Sequence, residues 1–441
     1  MRYIPNLSRK DELLKEAGLK REDLFGDVPK DCRTAGLNLP EPLPELEVRR
    51  KVIGILSKNK VPRASFLGGG VRNHFVPEHV RHLAGRSEFY TAYTPYQPEI
   101  SQGMLQTLFE YQSMVAELTG LEAVNSSMYD FSTALAEAAL MAKRATSRSE
   151  FLVPKLMSPK RKAVLRTYVQ GAGMSLIEIE AQKNGQLDLE DLKKKVSDRT
   201  AGVYVENPAY LGYFEEGVEE VSDIIHKAGG LFVVGADLIS LGIAKAPGDY
   251  GADIVIGEGQ LLGNPPSYGG PYVGAFAVRA DQGLVRKMPG RIIGMTEDAD
   301  KNRGFVMTLQ TREQHIRRES ATSNICSNEA LCAVTAAIYL ATLGRNGLRE
   351  VAEACAKNAN YVMREIGKLD GFEAPVYDSK HFCEFTVKCP KDVDGINRKL
   401  MENGIHGGSK VEFLKDTALY AVTEAHTKKD VDELLEGLKN V

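Results

Sequence analysis

Between about Ala64 and Ala280, short β-branched runs recur between helical stretches, and this alternation limits the possible folds of the 441-residue chain more than any other feature. The runs are AVLRTYV near Ala163, AGVYVEN near Ala201, LFVVGA near Leu231, DIVIGE near Asp253 and YVGAFAV near Tyr272. Helical stretches such as Leu187 to Val196 and Glu219 to Lys227 lie between them. Such alternation builds a mainly parallel sheet covered on both faces, because each parallel crossover packs its helix against the sheet. The chain is longer than one core supports, so more than one domain is expected.

Residues 61–320 read as the large domain. Residues 1–60 read as an N-terminal helical arm: a short helix capped at Ser8, a proline-rich connector LPEPLPEL from Leu39 and a helix near Leu46 to Ser57. Arms of this kind often clasp another subunit. After TREQHIRRESATSN, starting at Thr311, helices from Asn328 to Leu343 and from Leu348 to Leu369 lead into strands near Phe382 and Leu419. Residues 321–441 thus read as a small C-terminal α/β domain.

With 56 Lys and Arg against 59 Asp and Glu, the net charge is -3, and nucleic acid or an anionic membrane is not an expected partner. No run of 18 apolar residues occurs and the first residues lack an apolar signal core, so a soluble cytoplasmic protein is expected. The six cysteines show no CxxC pair and no ligand-like spacing with histidine, and they read as small buried hydrophobes.

The segment FYTAYTPYQPEISQG, Phe89 to Gly103, concentrates tyrosine, proline and a carboxylate. Pro95 and Pro98 lack backbone donors and push the preceding residue toward extended geometry, so neither a regular helix nor a central strand is expected between Tyr93 and Ile100. Tyr90, Tyr93 and Tyr96 offer flat apolar faces with polar tips, suited to a planar ligand or a partner chain, or else to a structural aromatic cluster. An amphipathic helix bearing Leu105, Leu108, Phe109, Met114, Val115 and Leu118 follows Gly103 and stops at Gly120.

NSSMYD, Asn125 to Asp130, precedes the alanine-rich STALAEAALMA and offers either an anion cradle or plain N-capping. The glycine- and proline-rich loop Gly257 to Gly274 follows a strand, yet neither a Rossmann fingerprint nor a Walker A sequence is present. His79 and His82 have no third ligand nearby in sequence and read as a solvated helix face, so no metal is expected. Arg312, Arg317 and Arg318 with His315 read as an anion site or an ion-paired surface.

FYTAYTPYQPEISQG, with SMYDFSTALAEA downstream and HIRRESATSNICS from His315, closely resembles the glycine decarboxylase P-protein of the glycine cleavage system. In particular it is similar to the separate N-terminal-type subunit, subunit 1 or alpha, found where that protein is split in two. The resemblance implies a pyridoxal-phosphate (PLP) enzyme fold of the aspartate-aminotransferase type, fold type I. It also implies an alpha2beta2 assembly with a homologous PLP-bearing subunit 2. In that system glycine is decarboxylated and its aminomethyl group passes to the lipoyl arm of the H-protein, in functional linkage with the T-protein and L-protein.

Enzymes of this fold carry PLP on a lysine placed just after the strand that DIVIGE represents. Here no lysine occurs between Lys245 and Lys287, and by the pattern of the PLP-bearing subunit the position falls on Leu261. The aspartate that faces the pyridine nitrogen falls on Val234, or on Asp237 after a three-residue shift. The resemblance therefore implies a subunit that is inactive alone, holds no cofactor and completes a site in its partner. Tyr93, Thr94, Tyr96, Gln97 and Glu99 are the candidates for that shared site, and Ser126, Ser127 and Ser132 for a vestigial anion site. The competing readings are a self-sufficient PLP aminotransferase or decarboxylase using an unusual lysine such as Lys245, and a noncatalytic scaffold.

Overall fold

The structure, a computed structural model, describes residues 6–34, 36–322, 325–327 and 329–441. The chain separates into two compact units, Met1–Lys60 and Val61–Val441. In the first, helices Lys10–Glu16 and Glu45–Leu56 bury no residue at all. Ser8 does not cap the first of them. It sits inside a 3₁₀ turn, Leu7–Arg9, and the helix starts after Arg9 with no side-chain cap.

The second unit is built on a seven-stranded sheet. Its strands are β1 (Ala123–Val124), β2 (Glu150–Pro154), β3 (Ser175–Ile179), β4 (Thr200–Asn207), β5 (Leu231–Ala236), β6 (Ile254–Glu258) and β7 (Gly274–Val278), in the order β1-β7-β6-β5-β4-β2-β3. The run from β6 to β3 is parallel, and only β7 pairs antiparallel, with β6 and β1. Side chains alternate between faces: Val203, Val205, Val234 and Val255 enter one apolar cluster, while Tyr204, Val233, Ile254 and Ile256 enter another.

Helices cover both faces. α1 (Pro98–Thr119) buries Leu105, Leu108, Tyr111 and Val115 on the first face, and α2 (Phe131–Thr146) buries its alanine-rich stripe on the second. α1 starts earlier than the prolines suggested. Pro98 occupies its first turn, where a missing N–H is harmless, so Ile100 is already helical, and Ser101 carries the only irregular dihedrals within it. Gly120 ends it in the left-handed region, at φ 68°.

The run AVLRTYV is not a strand. It lies in α3 (Pro159–Gly171), started by a Ser158 cap and Pro159, with Leu165 and Val169 buried four residues apart. Helical spacing and a strong start signal override the β propensity of its valines and threonine.

Helix α4 (Ala330–Ile366) is interrupted at Gly344, whose φ is 60° and ψ is -174°, which yields the two expected helices. The expected start at Asn328 lies outside the described residues. Among the described residues α4 is the helix long and apolar enough to cross a bilayer, and half of its most apolar window is buried inside the protein. Its second half packs Ala359, Val362 and Ile366 against a three-stranded sheet of β8 (Glu384–Lys388), β9 (Ser409–Lys410) and β10 (Thr417–Ala421). Residues Ala64–Ser65 pair with Ile405–His406, so the chain enters the unit beside the elements that end it.

Four cysteines are buried, but Cys32 and Cys326 are exposed, against expectation. His79 is exposed and meets Thr342 Oγ1 at 2.9 Å.

Candidate functional site

The carboxyl ends of parallel strands, facing helix N-termini, are where a sheet of this kind presents ligand-binding groups. Here Glu206 ends β4, Asp237 follows β5, and Glu258 and Leu261 follow one another out of β6. They line one cleft with Phe131 at the start of α2, Arg161 of α3, Arg72 and Glu384. Both arginines in it are met by carboxylates. Arg72, its side chain only 4 % exposed, pairs with Asp237 and, at 3.2 Å, with Glu384. Arg161 pairs with Glu206 and lies 3.9 Å over the ring of Phe131.

The α2 start is occupied in the same way. The Phe131 amide donates to Glu258 Oε2 at 3.1 Å, and the Thr133 amide donates to Asp130 at 2.8 Å. Burial pushes the Glu258 carboxyl up to about 7, against the pull of the Gln260 and Phe131 amides. A cavity of about 30 Å³ remains, against the roughly 300–1,000 Å³ usual for ligand pockets.

PLP does not fit these residues. Leu261, 2 % exposed, follows β6 where the resemblance would place a lysine, and both arginines already have carboxylate partners. Of the two positions considered for the pyridine-facing acid, Val234 is fully buried within the sheet, and Asp237 is in the cleft and engaged by Arg72. Lys245 is outside the cleft lining and pairs with Glu219 at 2.7 Å.

The tyrosine segment is organised differently. Tyr93 and Tyr96 remain 66 % and 44 % exposed. Tyr93 OH lies 3.2 Å from Cys326 Sγ, and the Thr94 and Ser327 hydroxyls hydrogen-bond. Arg291 donates to Cys326 O at 2.9 Å and reaches Tyr96 OH at 3.4 Å, while His315 meets the Tyr96 ring edge-on at 5.1 Å between centroids. Gln97 and Glu99 are exposed at the start of α1. Gln102 ties that helix start to Phe305 through two hydrogen bonds of 2.9 Å. The fixed, exposed rings thus share one face with Arg291 and His315.

The candidate serines do not converge on the α2 amides. The Ser126 amide donates to Arg291 O at 2.7 Å, Ser127 Oγ donates to Glu329 at 3.1 Å, and Ser132 is half-buried in the first turn of α2. Ser126 and Ser127 instead line a small pocket with Pro95, Arg291 and Ser327. Arg312 is spent on the Met288 and Gly290 carbonyls, and Arg317 on Thr311 O. Sequence reasoning missed Arg72, Arg161, Glu258, Glu384 and Arg291. Only Glu206 and Glu258 left a signal, as acids closing apolar strands.

Residues 1–438 match the glycine cleavage system P-protein family. The chain belongs to that family. A relative from Thermococcus kodakarensis, named "probable glycine dehydrogenase (decarboxylating) subunit 1", is 53 % identical over 446 residues, covering all of this chain and 98 % of the relative. A crystal structure of glycine decarboxylase (P-protein) of the glycine cleavage system, in inhibitor-bound form, is 43 % identical with a TM-score of 0.92 and full coverage of both chains. The sphingosine-1-phosphate lyase of Burkholderia pseudomallei, at 13 % identity, shares the fold, with a TM-score of 0.65 over 94 % of this chain and 96 % of that one.

Proposed function

We propose that this chain is the cofactor-free subunit 1 of a two-subunit glycine dehydrogenase (decarboxylating), and that it completes a catalytic site housed in subunit 2. The full-length match to the Thermococcus subunit 1 supports the enzyme and the existence of a second subunit. The observation that carries the finer reading is the sealed cleft: lysine-free and filled by its own ion pairs, while aromatic side chains lie open elsewhere. On this reading PLP resides in the partner and supplies the electron sink for decarboxylation there. Tyr93, Thr94, Tyr96, Gln97 and Glu99 orient substrate and limit water from across the interface.

The same proposal includes an alpha2beta2 assembly acting on lipoylated H-protein, in functional linkage with T-protein and L-protein, in the cytoplasm. It divides the second unit at about residue 320; the separate sheet and apolar cluster around β8 and β10 support a small C-terminal domain, while Ala330 to Cys355 of α4 pack into the core of the large sheet. The arm, whose Leu46, Val52, Ile53 and Ile55 are all exposed, is assigned to clasping subunit 2.

The test is borohydride reduction after incubation with PLP, for the purified chain alone and mixed with subunit 2, followed by peptide mapping. Adduct confined to subunit 2 is expected. Stoichiometric adduct at a defined lysine of this chain makes it an independent enzyme. Unchanged turnover of a Tyr96→Ala complex with normal assembly leaves it a scaffold.

A further inference from the structure

The aromatic face contains a cation placed unlike the arginines of the sealed cleft. Arg291 begins the turn into strand Ile292–Glu297, and its side chain is only 13 % exposed. Its backbone is fixed by the Ser126 amide, and the neighbouring Ile293 amide is held by Gln112 at 2.9 Å. The guanidinium contacts a carbonyl, Cys326 O, and a phenol, Tyr96 OH. The Glu313 carboxylate stands off at 3.9 Å from Nε, which has no hydrogen-bond partner among the described residues. Glu329, the other acid whose field reaches Arg291, is tied to Ser127 Oγ. Arg72 and Arg161, by contrast, each hold a carboxylate in direct contact.

A largely buried guanidinium with spare donors binds paired oxygens better than an exposed one, because its planar fork matches them and water competes less. The ring of Tyr96, 5.9 Å from the guanidinium carbon, and His315 beside it give that fork a flat wall. We propose that Arg291 is the anion-recognition residue of this face, gripping two oxygens of a carboxylate or phosphate presented from the site in subunit 2. The inference rests on the site-completing reading above. Two sources offer that chemistry: the carboxylate of the amino-acid substrate and the phosphate of the partner's cofactor.

The experiment uses the reconstituted two-subunit complex with Arg291→Gln, Arg291→Lys and Tyr96→Phe. Glycine KM and kcat are measured alongside the PLP concentration needed for half-saturation. If the anion is the substrate carboxylate, Arg291→Gln raises KM about tenfold or more with PLP affinity unchanged. If it is the phosphate, half-saturation by PLP rises by a similar factor and KM holds. Arg291→Lys keeps the charge without the fork and recovers part of either loss; it also serves if the glutamine variant fails to assemble. Both quantities unchanged in an assembled variant overturn the inference. If Tyr96→Phe lowers turnover while Arg291→Gln does nothing, the shared face stands and Arg291 has no part in it. Silence in both variants removes the shared face as well.

Discussion

The cleft at the strand ends and the face around Tyr96 both gather arginines, aromatic rings and loop backbone, but they differ in what answers the charge. In the cleft, Asp237, Glu384 and Glu206 meet Arg72 and Arg161 directly, and Glu258 meets the α2 amide that would otherwise await an anion. Around Tyr96, among the described residues, Arg291 meets only a carbonyl and a hydroxyl at hydrogen-bond range. On the proposed reading, the supply of internal counter-charges rather than position in the fold separates the two regions, and a family fold keeps its ligand cleft as a shape while its own side chains occupy the interior.

The sharpest break of that comparison is Arg72→Ala. It leaves Asp237 and Glu384 without their shared partner, and a loss of about 3–5 kcal/mol in denaturant unfolding is expected. A loss below about 1 kcal/mol shows the cleft to be wetter and less dependent on its pairs than described. Next in size is Leu261→Lys, which places a lysine among apolar neighbours without clearing the cleft. We expect about 2–4 kcal/mol of destabilisation and no reducible PLP adduct at residue 261. An adduct there erases the contrast, because the cleft is then a cofactor site lacking one residue.

The pH response sharpens the picture further. The Glu258 carboxyl rises to about 7 on burial, so the folded state holds its proton where the unfolded chain has released it. Its contribution is present below the unfolded value near 4.5 and is lost as pH climbs through about 7, at most about 3 kcal/mol. Glu258→Gln should flatten the fall of stability between pH 5 and 7.5, read from urea midpoints; an unchanged slope places the effect elsewhere. Glu424 has the opposite sign. Burial alone would raise it, but His74 at 2.8 Å, Cys355 and the Phe75 amide hold it at about 2. Its share of stability is present above about 4.5 and disappears as pH falls toward 2, and His74→Gln should shrink that acid-side loss.

The smallest effect on folding belongs to Tyr96→Ala. Its exposure predicts less than about 0.5 kcal/mol of stability change alongside roughly tenfold slower turnover of the complex. A large stability loss instead makes the ring a structural prop.

The sheet was legible because β4, β5 and β6 are nearly unbroken apolar runs with local start and stop signals. Ala163 to Val169 misled because β-branched residues also serve helices once Ser158 and Pro159 start one. The exposed tyrosine loop was legible in part: the segment before Pro98 is irregular as its prolines suggest, but Pro98 itself opens a helix, because a missing N–H is harmless in the first turn. The sealing pairs were not, because Arg72 meets Asp237 across 165 residues and no local pattern encodes that meeting. Arg291 was hidden for the same reason: its neighbours Tyr96 and Cys326 come from segments far away on either side.

The arm has a cellular corollary. Helix Glu45–Leu56 buries nothing, and Leu46, Val52, Ile53 and Ile55 lie open along it. On the proposed clasp, in which subunit 2 covers the arm, a copy made in excess displays the greasy surface that quality-control proteases and chaperones seize. The steady-state amount of this polypeptide is then set by the synthesis of its companion, and expression of the two in unequal dose should waste the surplus rather than store it.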